Sequence, residues 1–98
     1  MLNYHFTREA DEDLDNIWFY GLTTWNVDQA DRYYQQLISM IVHLSENPLH
    51  GKSEAIIVDR LRSYPCGSHR IYYTPEDEYI TIIRVLHQSM DTERHIEN

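Results

Sequence analysis

Residues 79–87 read YITIIRVLH, and this stretch decides the fold. It is apolar on both parities of a two-residue period. Ile83 and Val85 fall on one side and Ile82 and Leu86 on the other. A strand of that kind is interior to a sheet and covered at least partly on both faces. Arg84, in its middle, must find a partner or reach water. Two further stretches, RLRSYP (60–65) and HRIYYT (69–74), read as strands, with PCGS (65–68) and PEDE (75–78) as the turns between. Pro65 lacks the N–H a central ladder needs, so it marks the end of its strand.

Upstream the period changes to that of helices. Ala10, Leu14, Ile17, Trp18, Gly21 and Trp25 trace one helical face, with Thr7 placed as N-cap and acids clustered near the helix start. Gly21 leaves the end of that helix open. A second face comprises Ala30, Tyr33, Tyr34, Leu37, Met40, Ile41 and Leu44, with Asp28 placed to cap it and Asn47-Pro48 to stop it. Two helices so closely joined pack as a hairpin. Before them Leu2, Tyr4 and Phe6 alternate with Asn3 and His5, a short strand. The expected fold is α+β: an N-terminal strand, an α-helical hairpin, then a three-strand, mainly antiparallel sheet, as one domain over residues 1–98.

The net charge of −8 disfavours a general grip on nucleic acid, which needs a clustered basic surface, and no sequence-specific nucleic-acid binding is expected. Within 51–74, however, Lys52, Arg60, Arg62 and Arg70 oppose Glu54 and Asp59, four cations against two acids, a local balance of +2. That patch suits an acidic partner. Cys66 is the single cysteine, so no intramolecular disulfide forms. The N-terminus lacks the basic and apolar regions of a signal peptide, and no stretch approaches the ~20 apolar residues of a membrane span. A cytoplasmic protein without membrane contact is expected.

Several clusters invite a chemical reading. The acid run READEDLD (8–15) reads as a solvated helix face. Cys66 and His69 have half the spacing of a zinc site, but no second pair completes it, and no metal or cofactor is expected. Arg60, Arg62, Arg70 and Arg84 form either an anion-binding groove or internal ion pairs with Asp59, Asp91 or Glu93. His69 and His87, on or beside strands, are expected to be hydrogen-bonded structural residues. The aromatics Tyr4, Trp18, Tyr33, Tyr34, Tyr64, Tyr72, Tyr73 and Tyr79 should mostly be core, with any exposed ones open to a partner helix.

TREADEDLDNIWFY (7–20), QADRYYQQL (29–37), LSENPLHGK (44–52), LRSYPCGSHRIYY (61–73) and ITIIRVLHQSMD (80–91) follow one another in an order and spacing that resembles the ParE branch of the RelE/ParE toxin superfamily, from bacterial type II toxin–antitoxin modules. The resemblance implies a small RelE-like sheet with a helical hairpin and a cognate small antitoxin, often ParD-like. It also implies inhibition of DNA gyrase by binding, with no catalytic residues. The alternatives are a ribosome-dependent mRNA endonuclease of the RelE type, for which Arg62, Arg70, Arg84 and His87 are the candidates, or a non-toxic antitoxin-binding module. RelE-like enzymes look rich in Lys and Arg and typically carry a Tyr near the C-terminus, whereas this chain has one Lys and no Tyr after Tyr79. Arg60, Arg62, Arg70 and Trp18 are the expected antitoxin contacts. Met90, Asp91, Arg94 and His95, in the polar tail, are the expected target contacts.

Overall fold

The structure is a computed structural model and describes residues 3–90 and 92–96. Its elements are β1 (Tyr4–Phe6), α1 (Arg8–Thr24), α2 (Val27–Glu46), β2 (Lys52–Ser53), β3 (Arg62–Cys66), β4 (His69–Pro75), β5 (Ile80–His87) and α3 (Thr92–Ile96). The sheet runs β1-β5-β4-β3-β2. β1 lies parallel to β5 and the other pairings are antiparallel.

The α+β expectation holds, with two additions. A two-residue strand, β2, pairs with Arg62 and Ser63, and a short helix, α3, follows β5. Pro65 sits one residue inside the end of β3, beyond the stretch that β2 pairs, so its missing N–H costs no ladder bond on that side. Leu2 lies outside the described residues.

Thr7 joins sheet to hairpin. Its hydroxyl accepts from the Ala10 N–H at 3.0 Å and donates to the Ile83 carbonyl at 2.8 Å, while its own N–H donates to the Ile82 carbonyl at 3.0 Å. One residue thereby caps α1 and pins its start to β5. α2 is capped by Asn26, not by Asp28 as the sequence predicts: Asn26 Oδ1 accepts from the Gln29 N–H at 2.8 Å. Asn and Asp are equivalent caps, and capping by Asn26 leaves Asp28 in the first turn, where its charge meets the positive end of the helix dipole. α1 runs through Gly21 to Thr24. A Cβ at Gly21 would lie 3.2 Å from Ala30, so the glycine admits a close helix crossing instead of ending the helix.

The hairpin covers one sheet face. Leu14, Leu37, Ile41 and Leu44 pack there on Ile71, Tyr73, Ile80, Ile82 and Val85. The opposite face carries a smaller cluster of Leu61, Tyr72 and Leu86, flanked by Ile57, Val58, Ile83 and Ile96. Strict alternation along β5 fails at a bulge. Tyr73 faces Ile82 and Tyr72 faces Arg84, with Ile83 left between. The extra residue shifts the parity, so Ile82 and Val85 share the hairpin face while Ile83 joins Leu86 on the other. β5 is interior and covered on both sides, as its composition predicts, but the two faces are divided differently.

The exit from the hairpin is closed by Tyr73. Its hydroxyl donates to the Pro48 carbonyl at 2.7 Å and accepts from the Gly51 N–H at 2.9 Å. A Cβ at Gly51 would sit 2.6 Å from that hydroxyl, so the position requires glycine. Among the described residues no helix is long and apolar enough to cross a membrane.

Candidate functional site

A cleft of about 790 Å³ opens between the hairpin and the end of the sheet where the β3–β4 turn lies, β4 begins and β5 ends. Ile17, Tyr20 and Gly21 of α1 form one wall, Ala30 and Tyr33 of α2 another, and Ser68, His69, Val85 and His87 the floor, with Trp25 and Met90 on the lining as well. Trp25 is 70% exposed, Tyr20 67% and Met90 46%, so an apolar lining stands open to solvent. The sequence reading placed Trp25 on the packed face of α1. It instead follows the last residue of the helix, where its N–H closes onto the Gly21 carbonyl and the ring is released to the surface.

Tyr33 organises the floor. Its hydroxyl accepts from the Ser68 N–H at 3.0 Å, reaches the Cys66 carbonyl at 3.2 Å, and lies 2.6 Å from His69 Nδ1. The turn permits this because Gly67 has φ +60 and no side chain; a Cβ there would stand 2.5 Å from the Tyr33 ring. His69 faces His87 directly across the β4–β5 ladder, with ring centres 5.4 Å apart at 84°. His87 Nδ1 lies 2.7 Å from Ser89 Oγ and accepts from the Ser89 N–H at 3.2 Å. Burial, followed by the neighbouring His87, pushes the His69 pKa below its ordinary value, with Asp13 opposing weakly. His69 is therefore neutral at pH 7. Both histidines are hydrogen-bonded, as expected, but they also sit together on a cleft wall.

Asp13 corrects the reading of the acid run as a solvated face. Its carboxylate takes two hydrogen bonds from Arg84, at 2.7 and 2.8 Å, and a third from the Val85 N–H at 3.0 Å. The Asp13 contact, more than burial, decides the balance and raises the Arg84 pKa, so the guanidinium stays charged. Arg84 also donates to the His95 carbonyl at 3.1 Å, joining α1, β5 and α3 through one side chain.

The remaining arginines are engaged by the chain as well. Arg60, at φ 68, pairs with Glu76 at 3.4 Å and donates to the Pro75 carbonyl. Arg62 donates to the Gly51 carbonyl at 2.6 Å. Arg70 reaches Ser63 Oγ at 2.9 Å and Glu54 at 3.9 Å, and Ser63 in turn donates to Glu54 at 2.5 Å. Arg62 is opposite Tyr73, a hairpin-face residue, whereas Arg70 meets the buried Ser63 beneath the other face. Residues opposite each other share a face, so the two guanidiniums leave the sheet on opposite sides. Arg60, Arg70 and Arg84 thus pair with Glu76, Glu54 and Asp13, and the four arginines do not line one groove. Asp91 is outside the described residues.

Trp18 is half-buried and donates from Nε1 to Asp31 at 2.8 Å, beside a shallow hollow bounded by Phe19 and Tyr34 and separate from the cleft. Met90 lies at the cleft, while Arg94 and His95 are exposed on α3. Cys66 is buried, its thiol directed to the Gln36 carbonyl at 3.8 Å, and burial raises its pKa. It is not joined to His69 in a ligand set. Among the described residues no group of three or more His, Cys, Asp or Glu could hold a metal ion. Sequence reasoning did not assemble Tyr20, Trp25, Tyr33 and His69, which lie up to 49 positions apart (69 minus 20); the surplus of aromatics was the only signal.

A small mixed sheet carries a helical hairpin on one face, with an open apolar cleft between them, and the comparisons with known proteins give this arrangement its family. The family described as "ParE toxin of type II toxin-antitoxin system, parDE" matches residues 4–92. Toxin ParE1 of Caulobacter vibrioides is 36% identical over 96 residues, covering 98% of this chain and 99% of that protein. Toxin ParE1 of Mycobacterium tuberculosis is 34% identical over 94 residues, covering 95% and 96%. A solved structure described as a chromosomal ParDE TA system from P. aeruginosa shares the fold, with a TM-score of 0.74 at 22% identity, over 89% of this chain and 96% of that one. The chain belongs to the ParE family of type II toxin–antitoxin toxins.

Proposed function

We propose that this toxin acts in the cytoplasm by binding DNA gyrase, and that a ParD-like antitoxin neutralises it by laying a segment into the cleft. The observation that carries the reading is the open apolar lining around Tyr20, Trp25 and Met90. Such a surface suits an amphipathic segment that orders as it binds. Membership of a two-component toxin family supports a protein occupant. In this reading the cleft is the centre of the antitoxin contact and Trp18, Arg60, Arg62 and Arg70 lie outside that centre, since the three arginines have partners within the chain and Trp18 lies at a separate hollow.

Binding, not cleavage, fits the polar groups. A ribonuclease of the RelE kind needs a cation at the scissile phosphate and a group to move protons. His87 has the second role within reach, but Arg84 is clamped by Asp13 and Arg62 and Arg70 diverge across the sheet. Met90, Arg94 and His95 are the candidate gyrase contacts, with Asp91 beside them in sequence. A binder poisons gyrase only by favouring one state of its cycle over the others. The test combines purified toxin, gyrase, relaxed plasmid and ATP. Loss of supercoiling with trapped cleaved DNA is the expected result; normal supercoiling together with mRNA cleavage on purified ribosomes overturns it.

A further inference from the structure

We infer that His69 and His87 form a two-imidazole site for a borderline transition-metal dication, zinc above all. The inference goes beyond the toxin reading and does not rest on it. His69 opens β4 and His87 closes β5, directly opposite each other on the antiparallel ladder. Opposed positions hold their Cβ atoms ~4.5–5.5 Å apart, close enough for two imidazoles to meet one ion. At a Zn–N distance of about 2.0–2.1 Å an ion lies roughly 3.2 Å from each ring centre, so two rings meeting it at a tetrahedral angle have centres ~5.2 Å apart. The observed separation is 5.4 Å.

The surroundings resemble those of a ligand pair. Metal-binding histidines anchor their second nitrogen to a neighbour, which fixes the ring. Here Nδ1 of His69 is held by Tyr33 at 2.6 Å, and Nδ1 of His87 by Ser89 at 2.7 Å, leaving Nε2 of each ring for the ion. Coordination through Nε2 puts the His87 ring proton on Nδ1. There it donates to Ser89 Oγ, and the longer contact from the Ser89 N–H at 3.2 Å is given up. Both histidines line the open cleft, so water would complete the coordination, as no third His, Cys, Asp or Glu among the described residues forms a cluster with them. Imidazole favours zinc, copper and nickel over magnesium or calcium. An ion here adds two positive charges to the cleft of a chain whose net charge is −8, a change that any partner entering the cleft would meet.

A second imidazole pair supplies the control. His43 and His50 have ring centres 5.1 Å apart, but Nε2 of His50 is committed to the Tyr64 hydroxyl at 3.1 Å, and the pair is not held across a ladder. Tag-free protein titrated with zinc, followed by NMR of the histidine ring nitrogens, tests the site. Nε2 of His69 and His87 should shift together and saturate at one equivalent, well below millimolar zinc. His69→Gln and His87→Gln should each weaken binding by more than the ~10–100-fold that losing a supporting hydrogen bond costs, and Tyr33→Phe by roughly that amount. His50→Gln should leave it unchanged. Each variant is melted without zinc, and one that fails to fold is replaced by the Asn substitution at the same position. The inference is overturned if shifts fall on His43 and His50, if either glutamine variant binds like the parent, or if no saturation occurs by millimolar zinc.

Discussion

The two faces of the sheet are held by different means. Beneath the hairpin lies a continuous apolar layer, with Leu37, Ile41, Leu44, Ile71, Tyr73, Ile80 and Ile82 fully shielded. The other face has three buried apolar side chains under a loop and a five-residue helix, and beside them the polar set Glu54, Ser63 and Arg70. The first face carries the hydrophobic stabilisation, roughly proportional to area removed from water. The second adds order through hydrogen bonds and an ion pair, whose net worth is small wherever water reaches them. The cleft belongs to the hairpin side, where rigid walls hold an unfilled apolar lining in place.

Substitution in the two layers should separate them. Leu44→Ala is expected to cost ~2–5 kcal/mol, through lost methylenes and the cavity left behind. Ile83→Ala, half-buried on the opposite face, should cost about 1–2 kcal/mol. Urea melts of both variants measure the gap, and equal losses would show the two faces to be equivalent. A domain of this size has only ~5–15 kcal/mol in all, so toxicity assays on Leu44→Ala must be read beside its melt.

Asp13→Asn asks how much the polar tie between α1 and β5 contributes. Removing one partner of a fully buried pair costs ~3–5 kcal/mol. Asp13 and Arg84 retain 13% and 19% side-chain exposure, so a loss of about 2 kcal/mol is expected. A variant melting with the parent would reduce the clamp to a surface pair.

The smallest effect concerns pH. His69 has a folded-state pKa below the ordinary ~6.5 of an unfolded histidine. Below that value the unfolded chain binds more protons than the folded one, so stability falls as pH drops from about 6.5 towards the folded pKa and then levels. Above pH 6.5 the residue contributes no slope. His69→Gln should flatten this part of the profile, and melts of parent and variant taken between pH 7.5 and 5 read the difference.

The hairpin was legible because its stripe at helical spacing, Ala30 to Leu44, has one physical meaning, burial on a sheet. The strands were legible as runs, but their faces were not. The bulge at Ile83 inserts a residue with no side-chain signature of its own, and a period-two reading then assigns Ile82 and Ile83 the wrong neighbours. Asp13 was hidden in a run of similar acids, since only the tertiary position of Arg84 distinguishes it from Asp11 or Asp15. The cleft was illegible for a related reason. Tyr33, His69 and His87 meet through strand register and a glycine turn, not through spacing along the chain. The family resemblance carried fold and partner class further than residue patterns did, because it draws on order across the whole length.

The central claim is that the antitoxin occupies the hairpin-side cleft and leaves the Arg70 face open. Backbone hydrogen exchange of the toxin, alone and in complex with its cognate antitoxin, addresses this directly. Protection is expected to concentrate at the cleft, in the segments carrying Tyr20, Trp25, Tyr33 and His87 to Met90, with residues 54–63 unchanged. Protection centred on 54–63 and the strand carrying Arg70, with the cleft segments exchanging as in the free protein, would contradict the account.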